Sequence, residues 1–250
     1  MNFLGIIPAR FASSRLPGKP LADIGGKPMI QWVYENSRKE LNNVIVATDH
    51  AGIEQAVLAF GGRVMMTSPE HPSGTDRCAE VIQSLARSGE EYDVIINIQG
   101  DEPFIHASHI RLLKDAFYDP GTQIATLAFP IESSSELFNP NAVKVVTGSG
   151  SNALYFSRSA IPYNRNTVED NWTSTRTYLK HIGMYAYRAE ILQKITALEL
   201  SPLETTESLE QLRWLENGFG IKVLITTGQS HGIDTPEDLE NARKRAEKEL

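Results

Sequence analysis

The sequence predicts an α/β protein built on an open, doubly wound and mostly parallel β-sheet. Short β-branched runs alternate with longer stretches of helical periodicity through the first half of the 250 residues. Some runs, such as Val94–Ile98, are apolar at nearly every position, which is typical of parallel strands covered on both faces. A regular alternation of such strands with helices favours the doubly wound arrangement.

The individual elements follow from composition and periodicity. Runs rich in β-branched or apolar residues are expected to be strands: Phe3–Ile7, Val44–Ala47, Arg63–Met66, Val94–Ile98, Ile124–Ala128, Val143–Val146, Ala153–Ser157, Ile182–Tyr187 and Lys222–Thr226. Stretches with a helical apolar period are expected to be helices: Pro28–Arg38, Ile53–Phe60, Asp76–Ala86 and Ala107–Phe117.

Local start signals place further helices. Ser201-Pro202-Leu203-Glu204 is a capping box with proline at the first helical position, and it predicts a helix that reaches about Asn217. Thr235-Pro236-Glu237-Asp238 repeats this signal before a charged C-terminal helix. Thr75 is the expected cap of the helix that follows Ser73.

The domain organisation predicted is a single α/β domain over residues 1–250 with one inserted lobe. In residues 131–190 strands dominate, and Pro, Asn and Ser separate them. We therefore expect a smaller β-rich lobe there. No internal repeat or low-complexity tract divides the chain.

Composition excludes several classes of protein. The net charge of -7 argues against a general nucleic-acid binder. The lone Cys78 cannot form an internal disulfide, and no apolar run approaches the roughly 18 residues that a membrane span needs. The N-terminus has the pattern of a first strand and not that of a signal peptide, so we expect a cytoplasmic protein with no membrane partner.

The loop after the first strand carries unusual positive charge. Residues 1–40 hold six basic and three acidic side chains, a net charge of +3, on an otherwise acidic chain. Arg10, Arg15 and Lys19 lie there among small residues that include Ser13, and this combination suits a polyphosphate. The loop lacks the Walker A pattern, and G-x-G-x-x-G is absent. A solvated basic loop is the alternative interpretation.

Two carboxylates are candidates for holding a metal. Asp101 follows the apolar strand Val94–Ile98, at the ligand-facing edge of the predicted sheet, where Mg²⁺ binds through one or two carboxylates and substrate phosphates. Turn chemistry alone also explains Gly100-Asp101-Glu102-Pro103. Asp234 directly precedes a helix cap, and a loop after Lys222–Thr226 could carry it to the same edge.

Polar side chains in the second half suit a polyhydroxylated ligand. Strand alternation places His181, Gly183, Tyr185 and Tyr187 on one face. Helical spacing places Glu207, Glu210 and Gln211 on another shared face. Taken singly, such residues are more often structural or solvated.

These motifs together resemble those of the sugar-acid cytidylyltransferases, and within them the 3-deoxy-manno-octulosonate cytidylyltransferase (CMP-KDO synthetase) family. Matching blocks run in order along nearly the whole chain: Ile6–Leu21, Gly26–Ile30, Val46–Asp49, Ser73–Arg77, Gln99–Pro103, Phe138–Lys144, Ala153–Arg158, His181–Gly183, Leu209–Arg213 and Asp234–Asp238. The resemblance implies a nucleotide-diphospho-sugar transferase-like fold and a nucleotidyltransferase domain.

The resemblance also implies roles for individual residues. Metal ligands would be Asp101 and Asp234, and catalytic groups Arg15, Lys19 and Asp101. Nucleotide contacts would be Ala9, Arg10, Ser13, Arg15, Lys19, Gly74, Thr75, Arg77 and Gln99, with the backbone of Gly74 and Thr75 reading cytosine; a surface position for Arg77 is the alternative. Sugar contacts would be Gln99, His181, Tyr185, Glu210 and Gln211.

The implied reaction is Mg²⁺-dependent transfer of CMP from CTP to the anomeric 2-hydroxyl of 3-deoxy-manno-octulosonate, for lipopolysaccharide biosynthesis. The family further implies a homodimer formed through residues 131–190, which would also contribute to the sugar site. The alternatives are a cytidylyltransferase for an 8-amino octulosonate or for sialic acid, and a non-catalytic nucleotide-binding regulator.

Overall fold

The structure is a computed structural model that describes residues 1–12, 16–228 and 232–249. The chain divides into two compact units. The first comprises Met1–Arg111 with Ser230–Leu250, and the second comprises Leu112–Gln229. The predicted lobe, residues 131–190, lies within the second unit.

The first unit is built on a fully parallel sheet. The strands of this sheet are β1 Phe3–Ala9, β4 Val44–Thr48, β5 Val64–Met66 and β6 Val94–Asn97. A separate short hairpin is formed by β2 Asp23–Ile24 and β3 Lys27–Pro28. The sheet order is β6-β1-β4-β5, and the three pairings are parallel. Both β4 and β6 are buried at every position, as expected for strands covered on both faces.

Helices connect these strands. They are a 3₁₀ turn at Lys19–Leu21 and the α-helices α1 Met29–Arg38, α2 Ala51–Ala59, α3 Gly74–Arg87 and α4 Ala107–Ala116, the last of which crosses the boundary between the units. Ser73, and not Thr75, caps α3: the Ser73 hydroxyl accepts a hydrogen bond from Asp76 N–H at 3.1 Å. Thr75 is buried inside the first turn, so the prediction of a Thr75 cap is wrong.

The second unit contains a mixed sheet. Its strands are β7 Ile124–Ile131, β8 Lys144–Thr147, β9 Ala153–Ser157, β10 Tyr178–Arg188 and β11 Ile221–Ile225. Strand β11 is parallel to β7, whereas the β7–β10, β10–β8 and β8–β9 pairings are antiparallel. The short helices are α5 Ser134–Leu137, a 3₁₀ turn at Glu169–Asn171, α6 Trp172–Thr175, α7 Ala189–Thr196, α8 Pro202–Glu207 and α9 Glu210–Glu216.

Two details of the second unit differ from the sequence pattern. The helix predicted from Ser201 to about Asn217 is interrupted at Ser208, which adopts a φ of 51° between α8 and α9. Glu207 therefore ends one helix while Glu210 begins the next, and the predicted common helix face is wrong. Strand β10 also contains a register shift between Ile182 and Tyr185.

The last helix, α10, spans Pro236–Glu249 and belongs to the first unit. Ile233, Leu239 and Ala242 pack with Met29 and Trp32 of α1 in one buried cluster. The capping signal at Thr235 is confirmed, since the Thr235 hydroxyl accepts from Asp238 N–H at 3.1 Å. Among the described residues, no helix is long and apolar enough to cross a membrane. The predicted α/β fold with a mostly parallel sheet is thus confirmed.

Candidate active site

A cavity of about 420 Å³ opens where β1 and β6 end in the first unit. This is within the roughly 300–1,000 Å³ of typical small-molecule sites, at the strand ends where α/β sheets bind ligands. Residues that line it are Pro8, Ala9, Arg10, Ala12, Lys19, Pro20, Gly74, Gln99, Gly100, Asp101 and Asp234. The structure thus brings together Ala9, Arg10, Lys19, Gly74, Gln99, Asp101 and Asp234 of the predicted site.

Four lining residues were not among the predicted contacts, namely Pro8, Ala12, Pro20 and Gly100, and Gly100 has the clearest structural role. A Cβ atom at this position would lie 2.7 Å from the carbonyl oxygen of Pro8. Only glycine therefore allows the loop after β6 to cross the end of β1 this closely. The signal was present as the glycine between Gln99 and Asp101, because a glycine beside a functional carboxylate often marks close backbone approach.

Lys19 lies between the two predicted metal carboxylates. Its ammonium donates to Asp101 Oδ2 at 2.7 Å and to Asp234 Oδ1 at 3.0 Å. Lys19 is only 8% exposed, so this contact is made inside the cavity. Gly18 directs the chain into the 3₁₀ turn through a left-handed φ of 70°, and its N–H bonds to the Phe11 carbonyl at 3.1 Å.

Asp234 reaches the cavity because the segment before α10 is attached to Asp101. The N–H of Ile233 donates to the Asp101 carbonyl at 2.9 Å. The Asp234 N–H in turn donates to Asp238 Oδ2 at 3.0 Å. The Thr235 hydroxyl and N–H donate to the same oxygen. These bonds, above all that from the Thr235 hydroxyl, hold the pKa of Asp238 below its usual value, so the carboxylate that fixes this turn stays charged.

Arg10 lies on the wall of the cavity and is anchored by its surroundings. Its guanidinium donates to the His71 carbonyl, and the His71 ring contacts the Glu80 carboxylate. Burial raises the pKa of Glu80, but hydrogen bonds from Ser68 N–H and His71 outweigh it and leave that pKa below its usual value. The charged Glu80 carboxylate therefore fixes residues 68–71, and this segment includes the His71 carbonyl that accepts from Arg10.

Thr75 and Arg77 do not line this cavity. Arg77 is fully buried and donates to the Thr67 hydroxyl and, at 2.7 Å, to Asp49 Oδ2. The structure places this guanidinium in an internal ion pair, and not at the surface of the helix. The predicted residues Ser13 and Arg15 lie outside the described residues.

In the second unit the predicted sugar contacts of β10 lie together. His181 pairs with Ala128 of β7, and Tyr185 pairs with Thr126. Ala128 and Thr126 are two positions apart and so lie on the same face of the sheet. His181 and Tyr185 therefore share a face despite the register shift between them. Their rings are 5.2 Å apart. The Thr126 hydroxyl lies 3.0 Å from His181 Nε2. Burial lowers the pKa of His181 to about 3, so its imidazole is neutral at physiological pH.

Helix α9, which carries the remaining predicted contacts Glu210 and Gln211, packs against this cluster through Trp214. Trp214 meets the Tyr185 ring edge-on at 5.1 Å. Burial, with the nearby Tyr187 and Glu210, raises the pKa of Tyr185 well above its usual range. Gln211 is 5% exposed, and no described residue accepts a hydrogen bond from its Nε2. Such a buried donor is costly unless a partner or ligand satisfies it.

Glu207 is occupied elsewhere. Its carboxylate accepts from the Ser157 hydroxyl at 2.6 Å and from Arg158 N–H at 2.9 Å. Glu207 therefore joins the end of β9 to α8. The helical spacing of Glu207, Glu210 and Gln211 does not predict this role.

The donor set at Asp101 and Asp234 fits a hard divalent cation. Among the described residues, no group of three or more His, Cys, Asp or Glu side chains could hold a metal. Two carboxylates converging on one cation, here the Lys19 ammonium, match the way Mg²⁺ binds through one or two carboxylates while phosphates and waters complete its shell.

Comparison with known proteins agrees with this geometry. A profile of the family described as Cytidylyltransferase matches residues 4–225. The 3-deoxy-manno-octulosonate cytidylyltransferase of Parabacteroides distasonis is 59% identical over 246 residues, 97% of each chain. That of Bacteroides thetaiotaomicron is 56% identical over 247 residues, 98% of each chain.

A solved structure gives the same result for the fold. The structure of a CMP:2-keto-3-deoxy-manno-octonic acid synthetase complexed with CTP superposes with a TM-score of 0.91. It covers 100% of both chains at 46% identity. The family predicted from the sequence motifs is confirmed: the chain belongs to the cytidylyltransferases, in the 3-deoxy-manno-octulosonate cytidylyltransferase family.

Proposed function

We propose that this protein transfers CMP from CTP to the anomeric 2-hydroxyl of 3-deoxy-manno-octulosonate and releases pyrophosphate. The observation that carries the proposal is the cavity at the ends of β1 and β6, where Lys19 and Arg10 meet Asp101 and Asp234, in a chain 59% identical to a 3-deoxy-manno-octulosonate cytidylyltransferase. Cationic and carboxylate groups at one strand edge suit a metal-bound triphosphate.

The chain's own contribution is to position the substrates and to offset charge. The attacking atom would be the sugar hydroxyl, so no protein nucleophile is required, and in-line attack at the α-phosphorus depends on orientation and electrostatics. Lys19 and Arg10, both on the cavity wall, would bind triphosphate oxygens. With Arg15, Lys19 would stabilise charge that grows on the departing pyrophosphate.

Asp101 and Asp234 would hold Mg²⁺ as the cofactor of this reaction. When bound, Mg²⁺ stabilises negative charge on phosphoryl oxygens and favours the ionised form of a bound hydroxyl. The partly exposed carboxylates, with side chains 35% and 45% exposed, remain accessible from the cavity.

Selection of cytosine would depend on close backbone approach at Gly74. A Cβ there would lie 3.3 Å from Pro8 Cγ, so glycine keeps this wall open to a flat base. The backbone of Gly74, which lines the cavity, would accept from the exocyclic amino group of cytosine, and uracil would leave this acceptor unpaired. Such a mismatch can produce strong discrimination.

The sugar acid would contact the side chains that cluster on β10 and α9. Neutral His181 can donate or accept a hydrogen bond, and the Gln211 amide offers a buried donor. Glu210 accepts from Arg213 at 3.3 Å. Because this carboxylate already has a cationic partner, the structure favours a hydroxyl over an ammonium on the sugar.

Pyrophosphate release measured with purified protein tests the proposal. The protein would be supplied with Mg²⁺, with CTP or UTP, and with 3-deoxy-manno-octulosonate, its 8-amino analogue or sialic acid. We expect the highest kcat/KM for CTP with the hydroxyl sugar. A preference for either other sugar acid would replace the acceptor assignment. Tight CTP binding without turnover on any of them would identify a regulator.

The metal assignment has a matched pair of variants. Asp101→Asn removes a charge from the cavity, and Asp115→Asn removes one from an exposed position of α4. Omitting Mg²⁺ and introducing Asp101→Asn should each reduce turnover by orders of magnitude, whereas Asp115→Asn should leave it unchanged. Normal turnover by Asp101→Asn at saturating Mg²⁺ would remove this residue from the mechanism.

We further propose a homodimer formed through residues 131–190, in a cytoplasmic enzyme of lipopolysaccharide biosynthesis. Two exposed side chains of this lobe, Phe138 and Tyr163, contact the ring of the buried Trp172, and Val168 nearby in the sequence is also exposed. Clustered apolar exposure marks interaction surfaces. Sedimentation equilibrium should give twice the mass of one chain, and Tyr163→Glu should shift it to the monomer.

A further inference from the structure

The Lys19 ammonium occupies the position at which two carboxylates would offer oxygens to a metal. It lies 2.7 Å from Asp101 Oδ2 and 3.0 Å from Asp234 Oδ1. The side chain is 11% exposed, so its charge is satisfied by these two partners within the cavity and only slightly by solvent. A Mg²⁺ ion bound at about 2.0–2.1 Å from the same oxygens would lie within the space that the ammonium fills.

Two cations cannot share this position. A divalent ion placed there would bring two positive charges within a few ångströms of the ammonium, in a site where screening by water is reduced. Metal binding therefore requires Lys19 to move away. Its four-carbon stem has the rotational freedom to do so, whereas the turn that carries it is fixed by Gly18 and Pro20.

A triphosphate supplies the new partner that this movement requires. Lys19 lines the same cavity as Arg10, and phosphate oxygens are strong acceptors for an ammonium. Transfer of Lys19 from carboxylate to phosphate oxygens would remove the ammonium from Asp101 and Asp234 in the same step in which the nucleotide arrives.

We propose that Lys19 acts as an internal cation that keeps divalent metal off Asp101 and Asp234 until a nucleoside triphosphate binds. This inference rests on the proposed function for the identity of the ligands. The consequence is an obligatory coupling: the protein without nucleotide binds divalent metal weakly, and the metal enters with the nucleotide or after it.

Mn²⁺ binding in the absence of nucleotide tests the inference without any turnover. The free Mn²⁺ signal is followed by electron paramagnetic resonance during titration of wild type, Lys19→Met, Lys19→Gln and Lys27→Met. Lys27, whose ammonium pairs with Glu35 Oε2 at 2.7 Å, controls for the loss of a positive charge elsewhere in the first unit. Circular dichroism confirms that each variant is folded, and the two uncharged Lys19 variants guard against failure of one.

We expect both Lys19 variants to bind Mn²⁺ at least tenfold more tightly than wild type, and Lys27→Met to match wild type. Adding Asp101→Asn to Lys19→Met should abolish the gain. Equal affinity of wild type and the Lys19 variants would overturn the inference, as would a gain that survives Asp101→Asn. Mg²⁺-dependent pyrophosphate release by wild type is measured separately. A failure of the proposed function is therefore seen as absent turnover, whereas a failure of this inference is seen as unchanged Mn²⁺ affinity.

Discussion

Replacing Arg77 by methionine should destabilise the protein far more than it weakens nucleotide binding. The family resemblance implies a nucleotide contact for Arg77, but the structure buries its guanidinium completely beside Asp49, whose side chain is 16% exposed. The two groups are 2.7 Å apart. Methionine keeps most of the apolar volume and removes the charge, so the change isolates the ion pair.

The expected magnitude follows from the carboxylate left behind. Removing one partner of a buried ion pair costs about 3–5 kcal/mol, because the other charge remains without compensation. For a chain of this size that corresponds to a fall in melting temperature of roughly 6–20 °C. The hydroxyl of Thr67, which accepts from the same guanidinium, also loses its donor.

Urea unfolding and CTP titration calorimetry together provide the assay. The double variant Asp49→Asn/Arg77→Met should recover part of the lost stability, since it removes both charges. Arg111→Met, at a side chain 64% exposed and paired with Glu40, should change the unfolding free energy by less than about 1 kcal/mol. The reasoning would be refuted by an Arg77→Met protein of wild-type stability whose CTP affinity falls tenfold.

Two further predictions concern buried groups of the second unit. Lys144 is fully buried and donates to the carbonyls of Asn139, at 2.9 Å, and Arg158. Lys144→Met should therefore lower the unfolding free energy by about 1–3 kcal/mol, measured by urea unfolding, because it leaves these carbonyls without their donor. An equal loss for Lys180→Met, at a partly exposed side chain, would contradict this explanation. The pKa of His181 near 3 means that the unfolded chain takes up its proton first as the pH falls from about 6.5 towards 3. Stability should therefore fall there by up to about 1.4 kcal/mol per pH unit, and urea midpoints of His181→Gln that vary with pH like those of wild type would exclude the effect.

The elements that sequence reasoning predicted well have local causes. Strand β9 has the predicted bounds, Ala153–Ser157, and the Ser201 hydroxyl accepts from Glu204 N–H at 3.3 Å as the capping box requires. In both cases the determining residues lie within a few positions of one another. Propensity and capping are then sufficient to fix the structure.

The break at Ser208 shows what local patterns miss. Helical spacing continues through Glu207 and Gln211, yet the Glu207 carboxylate bonds to Ser157 and Arg158, about fifty positions earlier. The Arg158 guanidinium also donates to the Glu207 carbonyl at 2.7 Å. These tertiary hydrogen bonds outweigh the propensity of a few helical residues, which amounts to only tenths of a kcal/mol each.

At the candidate active site, the sequence identified the chemical groups but not their mutual contacts. Lys19 was recognisable from the motif that follows β1, and Asp101 from the motif that follows β6. Asp234 lies more than a hundred residues after Asp101. Its position depends on the apolar packing of α10, through Ile233 and Leu239, against Trp32. The Ile233–Asp101 backbone hydrogen bond of 2.9 Å then fixes the depth at which Asp234 enters the cavity. Because packing of apolar residues and one backbone bond determine the separation of the two carboxylates, the same contacts determine whether one cation can bridge them. The ammonium of Lys19 bridges them here. The packing of the last helix therefore determines the electrostatics of the site.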